Sequence, residues 1–91
     1  MPIEVQIPTP LRPHAEGQDT VNAAGGSVKA VLADLTTRYP ALKDRLFDEK
    51  GQPRRFINLF VNDEDIRFLD GLDSVVKDGD TLAIIPAVAG G

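Results

Sequence analysis

The last two residues, Gly90 and Gly91, have the most distinctive chemistry in this sequence. Residues 84–91 read IIPAVAGG, an apolar stretch that ends in two glycines. The α-carboxylate of Gly91 is ionised at neutral pH, so it is a poor electrophile until a partner enzyme converts it with ATP into an acyl-adenylate. Glycine has no Cβ to crowd the carbonyl or to block passage through a narrow channel. Attack on such an adenylate by sulfide would leave a thiocarboxylate, as would attack by a persulfide once a thiol has cleaved the resulting acyl disulfide.

The stretch after Pro86 is long enough to reach into the active site of a partner enzyme. Five residues follow Pro86, and a fully extended chain of that length spans at most about 17 Å. We therefore expect a folded domain over residues 1–86 and a flexible C-terminal tail over residues 87–91 that enters a partner's active site. The alternative is a frayed terminus with no role, because chain ends are commonly disordered.

Composition excludes several classes of function. The chain has 91 residues, no Cys and a net charge of −4, so a disulfide framework, a Cys-ligated metal and a Cys nucleophile are all excluded. A sulfur atom carried on the main-chain carboxyl needs no thiol. The acidic balance argues against nucleic-acid binding, and no apolar run is long enough to cross a membrane. We expect a cytoplasmic protein with no bound cofactor or metal.

The remaining polar residues do not form a recognisable catalytic set. His14 is the only histidine, and no partner that would position it for proton transfer is evident. The acidic run NDED, residues 62–65, lacks the spacing of a calcium loop and predicts a tight turn. Gly25 and Gly26 are not followed by a phosphate-loop Lys, so they indicate a turn. The sequence predicts a protein that is not itself an enzyme.

Alternating apolar residues predict the strands that would position the tail. In PIEVQIP, residues 2–8, Ile3, Val5 and Ile7 would share one buried face. Prolines in TPLRPHAEGQ, residues 9–18, predict a stiff surface loop that joins two strands of a hairpin. The further strands are predicted at residues 19–23, 55–62, 66–68 and 81–85, with a single helical turn between the last two.

One long helix is predicted within GGSVKAVLADLTTRYP, residues 25–40. Ser27 is the expected N-cap, and Pro40 ends the helix because the residue before a proline avoids the α region. A further turn or two is expected in residues 41–47. The apolar stripe repeats with helical period at Val28, Val31, Leu32, Leu35 and Tyr39.

The order of these elements predicts an α+β fold. One helix can cover one face of a small sheet, and a right-handed crossover would place the first and last strands side by side and parallel. This arrangement is a β-grasp, or ubiquitin-like, fold with a mixed sheet of four to five strands and one main helix on one face.

The sequence resembles the ThiS/MoaD family of ubiquitin-like sulfur carriers. The resemblance lies in DGDTLAIIPAVAGG (residues 78–91), SVKAVLADL (residues 27–35) and FVNDEDIRF (residues 60–68). It implies that an E1-like adenylyltransferase/sulfurtransferase, using ATP and a sulfur donor, converts the terminal carboxyl to a thiocarboxylate. Gly91 would then bear the sulfur, with Gly90 as its necessary neighbour.

The loop at residues 7–18 and the stretch RRFINLFVNDEDIRF, residues 54–68, are similar to those of family members that serve cysteine biosynthesis. This resemblance implies a PLP-dependent O-phosphoserine sulfhydrylase as the acceptor enzyme and a metalloprotease that releases the product. A ubiquitin-like protein modifier and the small subunit of molybdopterin synthase are the alternatives, since both would use the same tail.

An apolar patch near the tail is predicted to dock the activating enzyme. Exposed apolar clusters on small proteins are commonly interaction sites. A self-associating face, or a face covered by the proline loop, is the alternative. The predicted docking residues lie on the sheet face away from the helix and along the tail: Phe60, Ile85, Ala87, Val88 and Ala89.

Overall fold

Five strands form one mixed sheet in the computed structural model, which describes residues 2–54 and 57–86. The order across the sheet is β2-β1-β5-β3-β4, with β1 parallel to β5 and the other neighbours antiparallel. The predicted α+β, β-grasp architecture is confirmed. The strands are β1 (Ile3–Gln6), β2 (Thr20–Ala23), β3 (Ile57–Val61), β4 (Glu64–Asp65) and β5 (Thr81–Pro86).

The last strand, β5, lies in the middle of the sheet. It pairs in parallel with β1, with Val5 opposite Leu82, and antiparallel with β3, with Leu59 opposite Ile84. All four of these side chains are buried, as their alternation with polar residues predicts. The expected side-by-side, parallel arrangement of the first and last strands is therefore confirmed.

One main helix, α1 (Val28–Arg38), covers a single face of the sheet. The Ser27 hydroxyl accepts a hydrogen bond from the Ala30 N–H at 3.1 Å, as expected for an N-cap. A 3-10 turn, Pro40–Leu42, leads into the short helix α2 (Lys43–Leu46). The apolar stripe of α1 packs into the core through Val28, Val31, Leu32 and Leu35.

The proline-rich segment between β1 and β2 is more ordered than predicted. It forms a 3-10 helix, Thr9–Ala15, and it buries Leu11 and Ala15 in the core. The prediction of a surface loop was therefore wrong. Proline suits the start of a helix, where its missing N–H would have no intrahelical acceptor.

The prediction of a strand at residues 66–68 was also wrong. The short strand β4 comes earlier, directly after a two-residue turn in which Asn62 and Asp63 both have positive φ, as in a tight hairpin turn. Residues Ile66–Phe68 form a 3-10 turn capped by the Asp65 carboxylate. The helical turn expected after it is present as a 3-10 turn, Gly71–Asp73.

Side chains of α1 protect the outer edge of β2. The Asp34 carboxylate accepts a hydrogen bond from the Ala24 N–H at 3.0 Å, and the Arg38 guanidinium donates to the Asn22 carbonyl. Asp34 and Arg38 also pair with each other at 3.3 Å. Backbone groups that are already bonded cannot pair with another chain, so this edge is a poor template for aggregation.

Gly25 allows the close approach of the chain to the start of α1. Its φ is +154°, and a Cβ placed there would lie 2.9 Å from the Val31 nitrogen, whereas a Cβ on Gly26 would meet nothing within 4 Å. We expect Gly25→Ala to lower the free energy of unfolding by about 2 kcal/mol. Gly26→Ala should change it by less than about 1 kcal/mol. Urea denaturation of both variants tests this, and equal effects would contradict it.

Candidate functional site

The candidate site is the sheet face turned away from α1, together with the end of β5, where the tail begins. We call this surface the open face. Alternate residues of each strand point to it, because neighbouring side chains on a strand face opposite sides. The described residues of the open face are exposed or half-buried: Glu4, Gln6, Asn58, Phe60, Thr81, Ala83 and Ile85.

Phe60, Ala83 and Ile85 form the apolar part of the open face. Phe60 lies directly opposite Ala83, and Asn58 lies opposite Ile85, so Phe60 and Ile85 are diagonal neighbours. Phe60 is half-buried and Ile85 is 45% exposed. The predicted placement of Phe60 and Ile85 together on the face away from the helix is confirmed, whereas their role in docking stays a prediction.

A groove at the end of β5 connects the open face to the start of the tail. Its lining includes Ile85 and Pro86 on one side and Pro8 and Arg12 of the proline-rich segment on the other. The Arg12 Nε donates to the Ile7 carbonyl at 3.1 Å, which holds this side chain against the sheet. The proline-rich segment therefore forms one wall of the groove and leaves Phe60 and Ile85 accessible.

Arg12 is a candidate contact residue that the sequence did not reveal. Arg12 lines the groove together with Ile85, Pro86 and Asp19, and a carboxylate of a partner bound there could pair with its guanidinium. The signal was the large apolar side chain of Leu11 between the prolines, because its burial packs this segment on the core and brings Arg12 to the sheet.

Five of the predicted site residues lie outside the residues that the structure describes: Ala87, Val88, Ala89, Gly90 and Gly91. The structure does fix their starting point, because Pro86 is paired with Ile57 at the end of β5. Any tail must leave from this end of the sheet, next to the groove and the apolar residues of the open face.

The opposite end of β5 is acidic and rigidly held. The Asn62 side-chain oxygen accepts from the Thr81 N–H at 3.0 Å, and the Asn62 N–H donates to the Thr81 carbonyl at 2.9 Å. A side-chain hydrogen bond with Asn62, and then the Lys77 backbone N–H, lower the pKa of Asp80. Asp80 thus stays ionised beside Asn62, where it can attract a basic surface of a partner.

Asp65 and Arg67 form an ion pair that fixes the turn beside Phe60. The Asp65 carboxylate accepts from the Arg67 backbone N–H at 2.8 Å and from its Nη2 at 2.6 Å. The side-chain hydrogen bonds from Arg67, followed by that backbone N–H, lower the pKa of Asp65. Since Asp65 lies opposite Phe60 in the sheet, this pair helps to hold the edge of the open face.

The described residues hold no cluster of metal-ligating side chains. Over residues 2–54 and 57–86, no three His, Cys, Asp or Glu side chains are grouped so that they could hold a metal ion. His14 is half-buried in the proline-rich segment. No helix within these ranges is long and apolar enough to span a membrane.

Comparisons with known proteins identify relatives along the whole chain. The model of the ThiS family matches residues 5–91. The sulfur carrier protein CysO of Mycobacterium tuberculosis is 48% identical over 93 aligned residues, which cover 100% of both chains.

Solved structures agree with this match. A chain in the crystal structure of the Amycolatopsis orientalis BexX/CysO complex superposes with a TM-score of 0.89 and 50% identity, covering 98% of this chain and 99% of that one. The small archaeal modifier protein 1 of Methanosarcina acetivorans superposes with a TM-score of 0.85 and 38% identity, covering 98% and 95% of the two chains.

The Asp65–Arg67 pair should make stability depend on pH. Because the folded-state pKa of Asp65 is lowered, its contribution is present above the unfolded value of about 3.9 and is lost as the pH falls through the folded value. We expect Asp65→Asn to be less stable than the parent at pH 7, with a difference that shrinks below about pH 4. Thermal unfolding of the parent and the variant at several pH values across this range measures the difference in stability.

The matched control for this prediction is Asp63→Asn, which removes an exposed charge from the neighbouring turn. A constant difference between Asp65→Asn and the parent at all pH values would contradict the role of the ionised pair.

Proposed function

This chain belongs to the ThiS family, and we propose that it is a sulfur carrier whose cargo is a thiocarboxylate on Gly91. The family resemblance seen in the sequence is thereby confirmed. The observation that carries the proposal is the position of β5. This strand ends at Pro86 in the middle of the sheet, and five residues that finish in Gly-Gly follow it.

The proposed chemistry has two steps, both in a partner's active site. The Gly91 carboxylate attacks the α-phosphate of ATP, which forms an acyl-adenylate and releases pyrophosphate. Hydrosulfide then attacks the carbonyl carbon, a C–S bond forms, and AMP leaves with the electrons of the C–O bond. If a protein persulfide attacks instead, a second thiol must cleave the resulting acyl disulfide to free the thiocarboxylate.

This chain contributes the substrate group and its presentation. The carrier has no cysteine, so oxidation cannot trap the sulfur as a disulfide with a neighbouring thiol of its own. Glycine at positions 90 and 91 leaves the carbonyl open to an incoming nucleophile. We therefore assign the protein the role of a co-substrate, with adenylation and sulfur transfer catalysed by an E1-like partner.

Cysteine biosynthesis is the acceptor pathway that we propose. The support is the full-length similarity to CysO of M. tuberculosis. The thiocarboxylate sulfur would displace phosphate from O-phosphoserine on a PLP-dependent sulfhydrylase. The product, attached to the carrier terminus, would be released by hydrolysis by a metalloprotease, which restores the Gly91 carboxylate.

We propose that the partner enzymes dock on the open face. Its apolar residues adjoin the base of the tail, so an enzyme that binds Phe60 and Ile85 can receive residues 87–91 directly. Ala87, Val88 and Ala89 are small enough to pass through a narrow channel in the partner beyond that contact. The relative in the BexX/CysO structure was itself crystallised in a complex, which supports a partner-binding role.

A protein modifier is the second candidate function. The support is the similarity to a small archaeal modifier protein at 38% identity. Both functions begin with adenylation of the same carboxyl, but a modifier ends in an isopeptide bond to lysine. Higher-mass bands that carry this chain, detected by immunoblot and lost without Gly91, would favour the modifier. Their absence from cells that produce the thiocarboxylate favours the carrier.

Removal of the two terminal glycines should abolish activation. We expect no ATP-dependent pyrophosphate release from the cognate E1-like enzyme with a variant that lacks Gly90 and Gly91, because the new terminal carboxyl falls short of the adenylation site. The parent chain is the positive control. Circular dichroism should show that the variant is folded, since the deletion leaves every described residue in place. Pyrophosphate release at the parent's rate would contradict the proposal.

The open face predicts a kinetic effect at Phe60. We expect Phe60→Ala to raise the KM of the E1-like enzyme for the carrier about tenfold, since truncation of an apolar anchor at an interface commonly costs more than 1 kcal/mol. Phe68→Ala is the matched control, because Phe68 is 84% exposed and lies outside the open face. Equal KM values for the two variants would show that the enzyme docks elsewhere.

A further inference from the structure

A second groove lies on the helix side of the molecule, away from the open face. The exposed side of α1, the short helix α2 and the loop after it enclose about 490 Å³. Half-buried Phe47 and Leu72 and the small side chain of Ala33 provide an apolar floor. We call this feature the helix-side groove.

Three lysines surround the apolar floor of the helix-side groove. They are Lys29 on α1, Lys43 on α2 and Lys50 in the following loop, and all three are exposed. The ion pairs among the described residues are Arg38–Asp34 and Arg67–Asp65, so none of these ammonium groups is neutralised by a salt bridge within that part of the chain. An anionic group can approach them without displacing a partner.

The acidic residues at the groove do not cancel this positive charge. The Asp48 carboxylate already accepts hydrogen bonds from the Lys50 and Gln52 N–H groups, at 2.9 and 3.0 Å. Together with Glu49, the groove lining carries two carboxylates and three ammonium groups, which leaves a net charge of +1. The local charge is therefore opposite in sign to the net charge of −4 of the whole chain.

The shape of the groove favours a peptide over a small molecule. Its walls are exposed side chains, so a compact ligand would remain largely in water, whereas pockets for small molecules bury most of the ligand surface. A peptide segment can place one or two apolar side chains on Phe47 and Leu72 while its acidic groups meet the lysines. A second copy of this chain is disfavoured because both copies are acidic.

We propose that the helix-side groove binds an acidic segment of a partner protein with one or two bulky apolar residues at its centre. The groove is built from the outer surface of the helices, whereas the tail leaves from the end of β5 beside the open face. A partner held in the groove leaves the tail accessible to an enzyme. This second site does not depend on the sulfur chemistry proposed for Gly91.

The test uses the full chain, labelled with ¹⁵N, and the synthetic acidic peptide EDELFEDE. Chemical shifts of backbone amides should change on titration near Lys29, Ala33, Phe47 and Lys50, and should leave the open face unchanged. The charge-reversed peptide KRKLFKRK and the peptide EDEAAEDE, which lacks the apolar pair, should each bind at least tenfold more weakly.

Two variants identify the site of binding. The double variant Lys43→Glu with Lys50→Glu should weaken binding of the acidic peptide at least tenfold. Arg45→Glu is the matched control, because Arg45 is an exposed cation of α2 that does not line the groove. Both variants should be adenylated at the parent's rate, which separates this proposal from the function of the tail.

Three results would overturn the proposal. The first is the absence of shift changes at the groove with the acidic peptide. The second is equal binding of the charge-reversed peptide, or changes that map to the open face. The third is a set of shift changes at the groove that appear on concentrating the protein alone, which would assign the groove to a second copy of this chain.

Discussion

The pairing of β5 between β1 and β3 fixes the end of the sheet from which the C-terminal residues leave the fold. The last strand is hydrogen-bonded on both sides, with Leu82 and Ile84 buried beneath α1. The residues after it therefore start from one of the best-anchored parts of the fold. A reactive carboxyl on a short tail needs such an anchor, because free movement of its base would raise the entropic cost of entering an active site.

The sheet and the helix also divide the surface into regions with different chemistry. The open face presents apolar residues near the end of β5, with Arg12 at one end and the ionised Asp80 at the other. The helix side carries three lysines around an apolar floor, and none of them forms a salt bridge with another described residue. Because these surfaces lie on opposite sides of the sheet, contacts on one need not exclude contacts on the other.

The sequence was sufficient to predict the main elements because their signals are periodic. Alternation in β1 and β5 and the 3.6-residue repeat in α1 each placed the correct residues in the core. The parallel arrangement of the first and last strands followed from the handedness of the crossover.

Two segments were not predictable from periodicity, and each depends on a few specific contacts. Residues 66–68 alternate like a strand, but the Asp65 carboxylate caps the backbone there and turns the chain. Ile66 is consequently buried while Phe68 is 84% exposed. In the segment Thr9–Ala15, prolines concealed a 3-10 helix that packs on the core. The contribution of Arg12 to the groove depends on that packing, so the sequence did not reveal it.

The most direct test of the central claim is the intact mass of the chain after incubation with ATP, sulfide and a cognate E1-like enzyme. We predict a mass increase equal to one oxygen replaced by one sulfur, located at Gly91 by fragmentation. Treatment with an alkylating reagent should shift this species further, to the mass of the S-alkylated chain. An unchanged mass, with an enzyme that activates a known carrier in parallel, would contradict the proposal that this protein carries sulfur on its C-terminal glycine.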